Sequence, residues 1–243
     1  SYTYHSRHRL FETLRQLAPF IQRYQDPIEV LDIGSFPGPF LRILPALWPD
    51  REFKFYATGL ASNEDFVTYL QQRNIPFFPI NLDPELTDSR GLPTRLPIEE
   101  ETFDIVIATE VVEHLFNPTI LMKESFRTSK VGAIIEVTTP NLATAYRRLK
   151  FMFKGRSPNV PVKDSIMQIA SSDWRPHLRE FTVAEVCELL SLSGWTPKLS
   201  MTYQLPGVSR NFAAEVFYRT INRLLPFGDS DQLVIAEKTR SNL

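Results

Sequence analysis

Largely apolar runs at 28–33, 53–58, 77–80, 103–108 and 131–138 read as strands covered on both faces, the pattern of a parallel sheet. Helical spacing near 38–47, 62–73 and 115–128 alternates with them, the last helix opened by Asn117-Pro118. Such alternation implies right-handed crossovers. Before the first strand, Leu10, Leu14, Leu17, Phe20 and Ile21 share one face of a helix over about 5–24, which would cover the sheet edge or lid a ligand. The alternation stops beyond Asn141. A helix at 182–193, a strand near 195–203, a helix at about 209–225 and a closing strand at 232–236 then bring the count to seven strands. The expected fold is α/β, a doubly wound seven-stranded sheet in a single domain over 1–243, with an insertion at about 142–180.

The first strand ends abruptly in Asp32-Ile33-Gly34-Ser35-Phe36-Pro37-Gly38. Two glycines here let the main chain turn sharply and approach a ligand with no Cβ in the way. Strand, glycine turn and helix N-terminus together make a cofactor site at the carboxyl edge of an open sheet. A second segment reads Leu96-Pro97, then Phe103-Asp104 and a strand running into Glu110-Val111-Val112-Glu113-His114-Leu115. A third strand, containing Gly132, ends in Thr139-Pro140-Asn141, and His177-Leu178-Arg179-Glu180-Phe181-Thr182 leads into a helix followed by Gly194-Trp195.

In order and spacing these segments resemble the class I S-adenosylmethionine-dependent methyltransferases, in particular a broad small-molecule subgroup. The resemblance covers roughly residues 28–141 and resumes at His177. It implies a Rossmann-like sheet, mostly parallel with an antiparallel last strand, and S-adenosylmethionine as cofactor. The usual loop is Gly-x-Gly-x-Gly. Here Phe36 replaces the middle glycine, and Gly34-Ser35-Phe36-Pro37-Gly38 is similar to the loop of the RNA ribose-methylating branch. That branch's Lys-Asp-Lys-Glu tetrad finds no match in this chain.

The resemblance implies cofactor contacts at Asp32, Gly34, Ser35, Phe36, Pro37, Gly38, Asp83, Glu110 and Val111. Asp32 would hold the loop or the cofactor's ammonium group, or simply cap the turn. Asp83 would accept from the adenine amino group, or form an Asp-Pro turn with Pro84. After the second strand the family places an acid for the ribose hydroxyls, whereas this chain has Gly59-Leu60-Ala61-Ser62. Glu64 and Asp65 come late and suit a helix start, which leaves Ser62 or Asn63 for the ribose.

His114 and His177 are the candidate general bases on the acceptor side, each weighed against a structural hydrogen-bonding role. Thr182 with Glu185 makes a capping box, which accounts for both without chemistry. Residues 146–156 mix Arg147, Arg148, Lys150, Lys154 and Arg156 with aromatics. They form either a solvated helix or a dock for an anionic or lipid-linked acceptor, with membrane-surface contact as one version of it.

Composition narrows these readings. The net charge of −1 argues against nucleic acid as a partner. One cysteine and four scattered histidines predict no zinc cluster and no disulfide framework, which suits a cytoplasmic protein. No apolar run approaches the length of a transmembrane span and no signal peptide is visible. The expected function is methyl transfer from S-adenosylmethionine to a small-molecule, saccharide or lipid-linked acceptor, at oxygen. The alternative is a degenerate, non-catalytic cofactor-binding scaffold or regulator, to which the missing acid after the second strand lends support.

Overall fold

The computed structural model describes residues 2–60, 63–82, 95–155, 177–205, 216, 220 and 227–239. The elements are α1 (Tyr2–Ile21), β1 (Ile28–Ile33), α2 (Pro39–Leu47), β2 (Phe53–Gly59), α3 (Glu64–Gln71), β3 (Phe77–Pro79) and β4 (Phe103–Thr109), followed by a 3-10 turn at Val112–His114. Then come α4 (Thr119–Thr128), β5 (Ser129–Pro140), α5 (Ala145–Lys154), α6 (Val183–Leu192), β6 (Thr196–Tyr203) and β7 (Asp231–Glu237).

The sheet order is β3-β2-β1-β4-β5-β7-β6. Strands β1 to β5 pair in parallel, and β7 runs antiparallel to both of its neighbours. This is the mostly parallel seven-stranded sheet expected from the chain. The order reverses between β1 and β4, so their carboxyl ends open the crevice where open α/β sheets place a ligand.

Alternation along each strand divides the core into two layers. Leu31, Val106, Ile135, Val137 and Val234 face α4 and α6, where Leu121, Met122, Val186, Leu190 and Trp195 meet them. Val30, Ile105, Ile107, Ile134 and Ile235 face α1, α2 and α3 through Leu17, Ile21, Phe40, Leu44, Phe66 and Leu70. Trp195 seals the first layer: its ring sits edge-on to Phe126 and its indole N–H donates to the Met122 carbonyl at 3.1 Å. The Thr182–Glu185 capping box is present in full at the start of α6, a device that contributes about 1 kcal/mol.

One boundary differs from the periodicity. The helix expected over 115–128 begins at Thr119, after the 3-10 turn and an extended Leu115. Pro118 disfavours helical backbone at Asn117, whose side-chain oxygen instead accepts from the Thr119 N–H at 3.2 Å. Most of the expected helix at 209–225, and most of the insertion beyond Gly155, lie outside the described residues. Among the described residues no helix is long and apolar enough to cross a membrane.

Candidate active site

The glycine loop hangs from the carboxyl end of β1. Both the Gly34 and Ser35 N–H groups donate to the Thr58 carbonyl of β2, at 2.8 and 3.1 Å. Gly34 has φ +68°, and a Cβ there would lie 2.8 Å from Val111 Cγ2. Gly38 has φ +78°, and its Cβ would lie 2.8 Å from the Phe66 ring. Side chains rarely adopt such backbone, so both positions need glycine. Ser35 turns inward, whereas Phe36 is exposed and packs edge-on against Phe66. The loop therefore offers main chain, with one aromatic ring at its rim.

Asp32 points into the layer beneath α1. Asp32 is 3% exposed, and among the described residues its Oδ2 accepts no hydrogen bond. Burial, with the Glu136 charge adding to it, pushes this carboxyl up to about 8. No turn-capping bond to Asp32 is found among the described residues.

Glu110 and Val111 follow β4 directly, as the resemblance implied. Glu110 takes positive φ and its N–H donates to the Thr138 carbonyl at 2.9 Å. Arg9 of α1 reaches its carboxylate at 2.9 Å and Asp231 of β7 at 3.0 Å. Burial opposes the Arg9 charge, but these two carboxylates more than offset it. Thr13, one turn on from Arg9, donates to Glu136 at 3.1 Å, and Thr109 donates to the other oxygen of Glu136 at 3.3 Å. Helix α1 is thus tied across the carboxyl edge by its polar face. The sequence reading passed over Arg9, Glu136 and Asp231. Two signals were there to find: a charged residue inside the apolar run 133–138, and a polar pair at i, i+4 on α1.

On the other side of the crevice the turn after β4 carries Glu113 and His114. The Glu113 carbonyl accepts from the Leu178 N–H at 2.7 Å and from Arg179 at 3.3 Å. The next residues are tied to the sheet by an Asn141–Phe181 bridge and by Gln232, whose side chain donates to the Phe181 carbonyl at 2.8 Å. This seating brings His177 against His114 edge-on, with ring centroids 4.7 Å apart. The histidines that look scattered in sequence include a pair that meets. Glu113 is fully buried, its Oε2 accepting from Thr139 Oγ at 2.9 Å. Burial, followed by the His114, Arg147 and Arg9 charges, lowers His177 to about 4. Asp83 lies outside the described residues, as does Ser62. Asn63 spends its side-chain oxygen capping α3, accepting from the Asp65 N–H at 2.7 Å.

Known proteins can be compared with this geometry. The family described as "Methyltransferase domain" matches residues 2–197, well over half of the chain. The chain belongs to that family. A 112-residue stretch is 28% identical to a "Probable S-adenosylmethionine-dependent methyltransferase" of Mycolicibacterium smegmatis. That stretch is 46% of this chain and spans about a third (36%) of that relative's length. Among solved structures, a SAM-dependent methyltransferase from Archaeoglobus fulgidus superposes with a TM-score of 0.56 at 19% identity, covering 96% of this chain and 94% of that one. One from Methanosarcina mazei gives 0.55 at 16% identity, over 91% and 97% of the two chains. At such identities the structures speak for the fold, while the family match makes this a methyltransferase domain with S-adenosylmethionine as its cofactor.

Proposed function

We propose that the protein transfers a methyl group from S-adenosylmethionine to a hydroxyl oxygen of a small or carrier-bound acceptor, a saccharide or secondary metabolite, in the cytoplasm. The carrying observation is that His114, on the turn that follows Val111 and its contact with Gly34, meets His177.

The residues suit the cofactor. Bare main chain at Gly34 and Gly38 admits close approach. The buried Asp32 carboxylate, whose Oδ2 accepts no hydrogen bond among the described residues, matches an ammonium group. Glu110 and Val111 complete this wall, and Asp83 keeps the adenine role that the family resemblance implies. When bound, S-adenosylmethionine supplies a sulfonium methyl whose C–S electron pair stays on sulfur as the acceptor oxygen bonds to the carbon. His114 accepts the proton that this oxygen loses. His177, neutral above about pH 4, receives a hydrogen bond from the acceptor and orients it. The acceptor side includes α5, which presents Phe151, Met152 and Phe153 to the surface beside Lys150 and Lys154. This mixture fits an acceptor with negative charge and an apolar or flat part, such as a lipid-linked substrate, while the net charge of −1 argues against nucleic acid.

Calorimetry with S-adenosylhomocysteine, the demethylated product, tests the reading first, followed by a methyl-transfer screen over acceptor classes. One site per chain and turnover that falls at least a hundredfold in His114→Ala are expected. Absence of binding overturns the proposal. Glycine and leucine where relatives place the ribose acid favour a second reading, a non-catalytic scaffold, and binding without turnover across the screen would select it.

A further inference from the structure

We propose that Glu113 Oε1, His114 Nε2 and His177 Nε2 form a binding site for a divalent first-row transition-metal ion, whose remaining coordination positions hold the acceptor's oxygen. The inference deepens the methyl-transfer reading and rests on it for the acceptor alone.

Three ligand-type atoms converge here. Glu113 Oε1 lies 3.9 Å from His114 Nε2 and 4.0 Å from His177 Nε2, and the three residues' ligand atoms all fall within 4.8 Å of one another. These separations are too long for hydrogen bonds. They are close to what a shared ion requires, since donors each about 2.1 Å from a metal stand about 3.4 Å apart in tetrahedral geometry. Glu113 supplies the independent sign of a missing partner: its side chain is 0% exposed and, among the described residues, Oε1 accepts no hydrogen bond. A buried carboxylate oxygen without a donor is costly, and a cation satisfies it.

The surroundings hold each ligand in a metal-binding pose. Thr139 binds the Glu113 Oε2 atom and leaves Oε1 facing the histidines. His177 Nδ1 lies 3.4 Å from Glu180 Oε1, which selects the tautomer with its lone pair on Nε2. Glu180 is in turn held by the Arg147 guanidinium. A carboxylate behind a ligating imidazole is the usual outer shell of such sites. Two imidazoles and one carboxylate favour Zn²⁺, Mn²⁺ or Co²⁺ over Mg²⁺ and Ca²⁺, which prefer oxygen. Three protein ligands leave room for an acceptor hydroxyl, which a bound ion would make more acidic; its proton would pass to solvent water, so in the ion-bound site His114 and His177 serve as ligands in place of the proton-accepting and orienting roles they have without an ion.

The test uses tag-free full-length protein stripped with a chelator and titrated with Co²⁺, followed by visible absorption, with Zn²⁺ calorimetry beside it. One ion per chain is expected, with ligand-field bands that saturate. His177→Ala and Glu113→Gln should each weaken binding at least tenfold, while His8→Ala and Cys187→Ser leave it within twofold. His177 is 31% exposed, so its variant keeps the test valid if Glu113→Gln does not fold. S-adenosylhomocysteine affinity is measured in the same samples. If it is intact while no Co²⁺ binds, or if Co²⁺ binding persists in His177→Ala, the metal site is overturned. Loss of S-adenosylhomocysteine binding by the wild-type protein would instead strike the methyl-transfer reading.

Discussion

A Cβ on Gly34 would stand 2.8 Å from Cγ2 of Val111, so the glycine loop and the turn after β4 are packed to the limit of a bare backbone. From the loop alone, a side chain at Gly34 is expected to collide with the cofactor. The structure shows that it meets Val111 first, at a backbone φ of +68° that side chains avoid. Gly34→Val is therefore expected to lower the melting temperature as well as abolish S-adenosylhomocysteine binding. A double variant with Val111→Ala should recover only part of the melt, since the backbone strain at φ +68° remains, and none of the binding. Full binding in Gly34→Val would remove the loop from the cofactor site.

Asp32 and Glu136 share the layer beneath α1, and burial raises Asp32 to about 8 and Glu136 to about 7. An unfolded Asp titrates near 4, so the folded state holds the extra proton between roughly pH 4 and pH 8. Folded stability from this group is complete below the unfolded value and is lost as pH rises through that window. Asp32→Asn should leave the melting temperature near pH 4 unchanged and raise it at pH 8 in the cofactor-free protein. It should also cost at least tenfold in S-adenosylhomocysteine affinity. Parallel melting curves across pH would refute the shift.

Asp83 is the proposed adenine reader. Asp83→Ala is expected to cost about 1–3 kcal/mol of S-adenosylhomocysteine affinity, the range for a buried polar group left without its partner. An effect within error, with the fold intact by circular dichroism, returns Asp83 to a plain Asp-Pro turn.

The basic residues of α5 divide by role. Arg147 donates to Glu180 at 3.0 Å, and Arg148 to the Phe227 carbonyl at 3.3 Å, so both are engaged within the fold. Lys150 lies over the exposed Tyr146 ring, 5.7 Å from its centroid. Arg147→Ala should cost roughly 1.5–3 kcal/mol of stability, the range for hydrogen bonds to charged groups. Lys150→Ala should leave the melt unchanged and raise the Michaelis constant of an anionic acceptor, with cofactor affinity within about twofold. An unchanged Michaelis constant would make α5 a solvated helix.

The strands and their alternation with helices were legible in the chain because each depends on local pattern. Apolar runs such as 103–108 and 131–138 can be buried on both faces in one way, and Gly34-Ser35-Phe36-Pro37-Gly38 can turn only where a ligand edge follows. Asp32, Glu110 and Val111 could be named because the same segments carry the family resemblance, and strand ends at a topological switch point converge by construction. Tertiary structure decided the rest. Arg9 meets Glu110 and Asp231 because α1 lies across the crevice, a docking that no spacing in α1 records. His177 meets His114 because the Glu113 carbonyl and the end of β5 seat residues 177–181 at the carboxyl edge. Periodicity reports which face of an element is buried; which distant polar groups then share that burial is set by the register and packing of elements far apart in the chain.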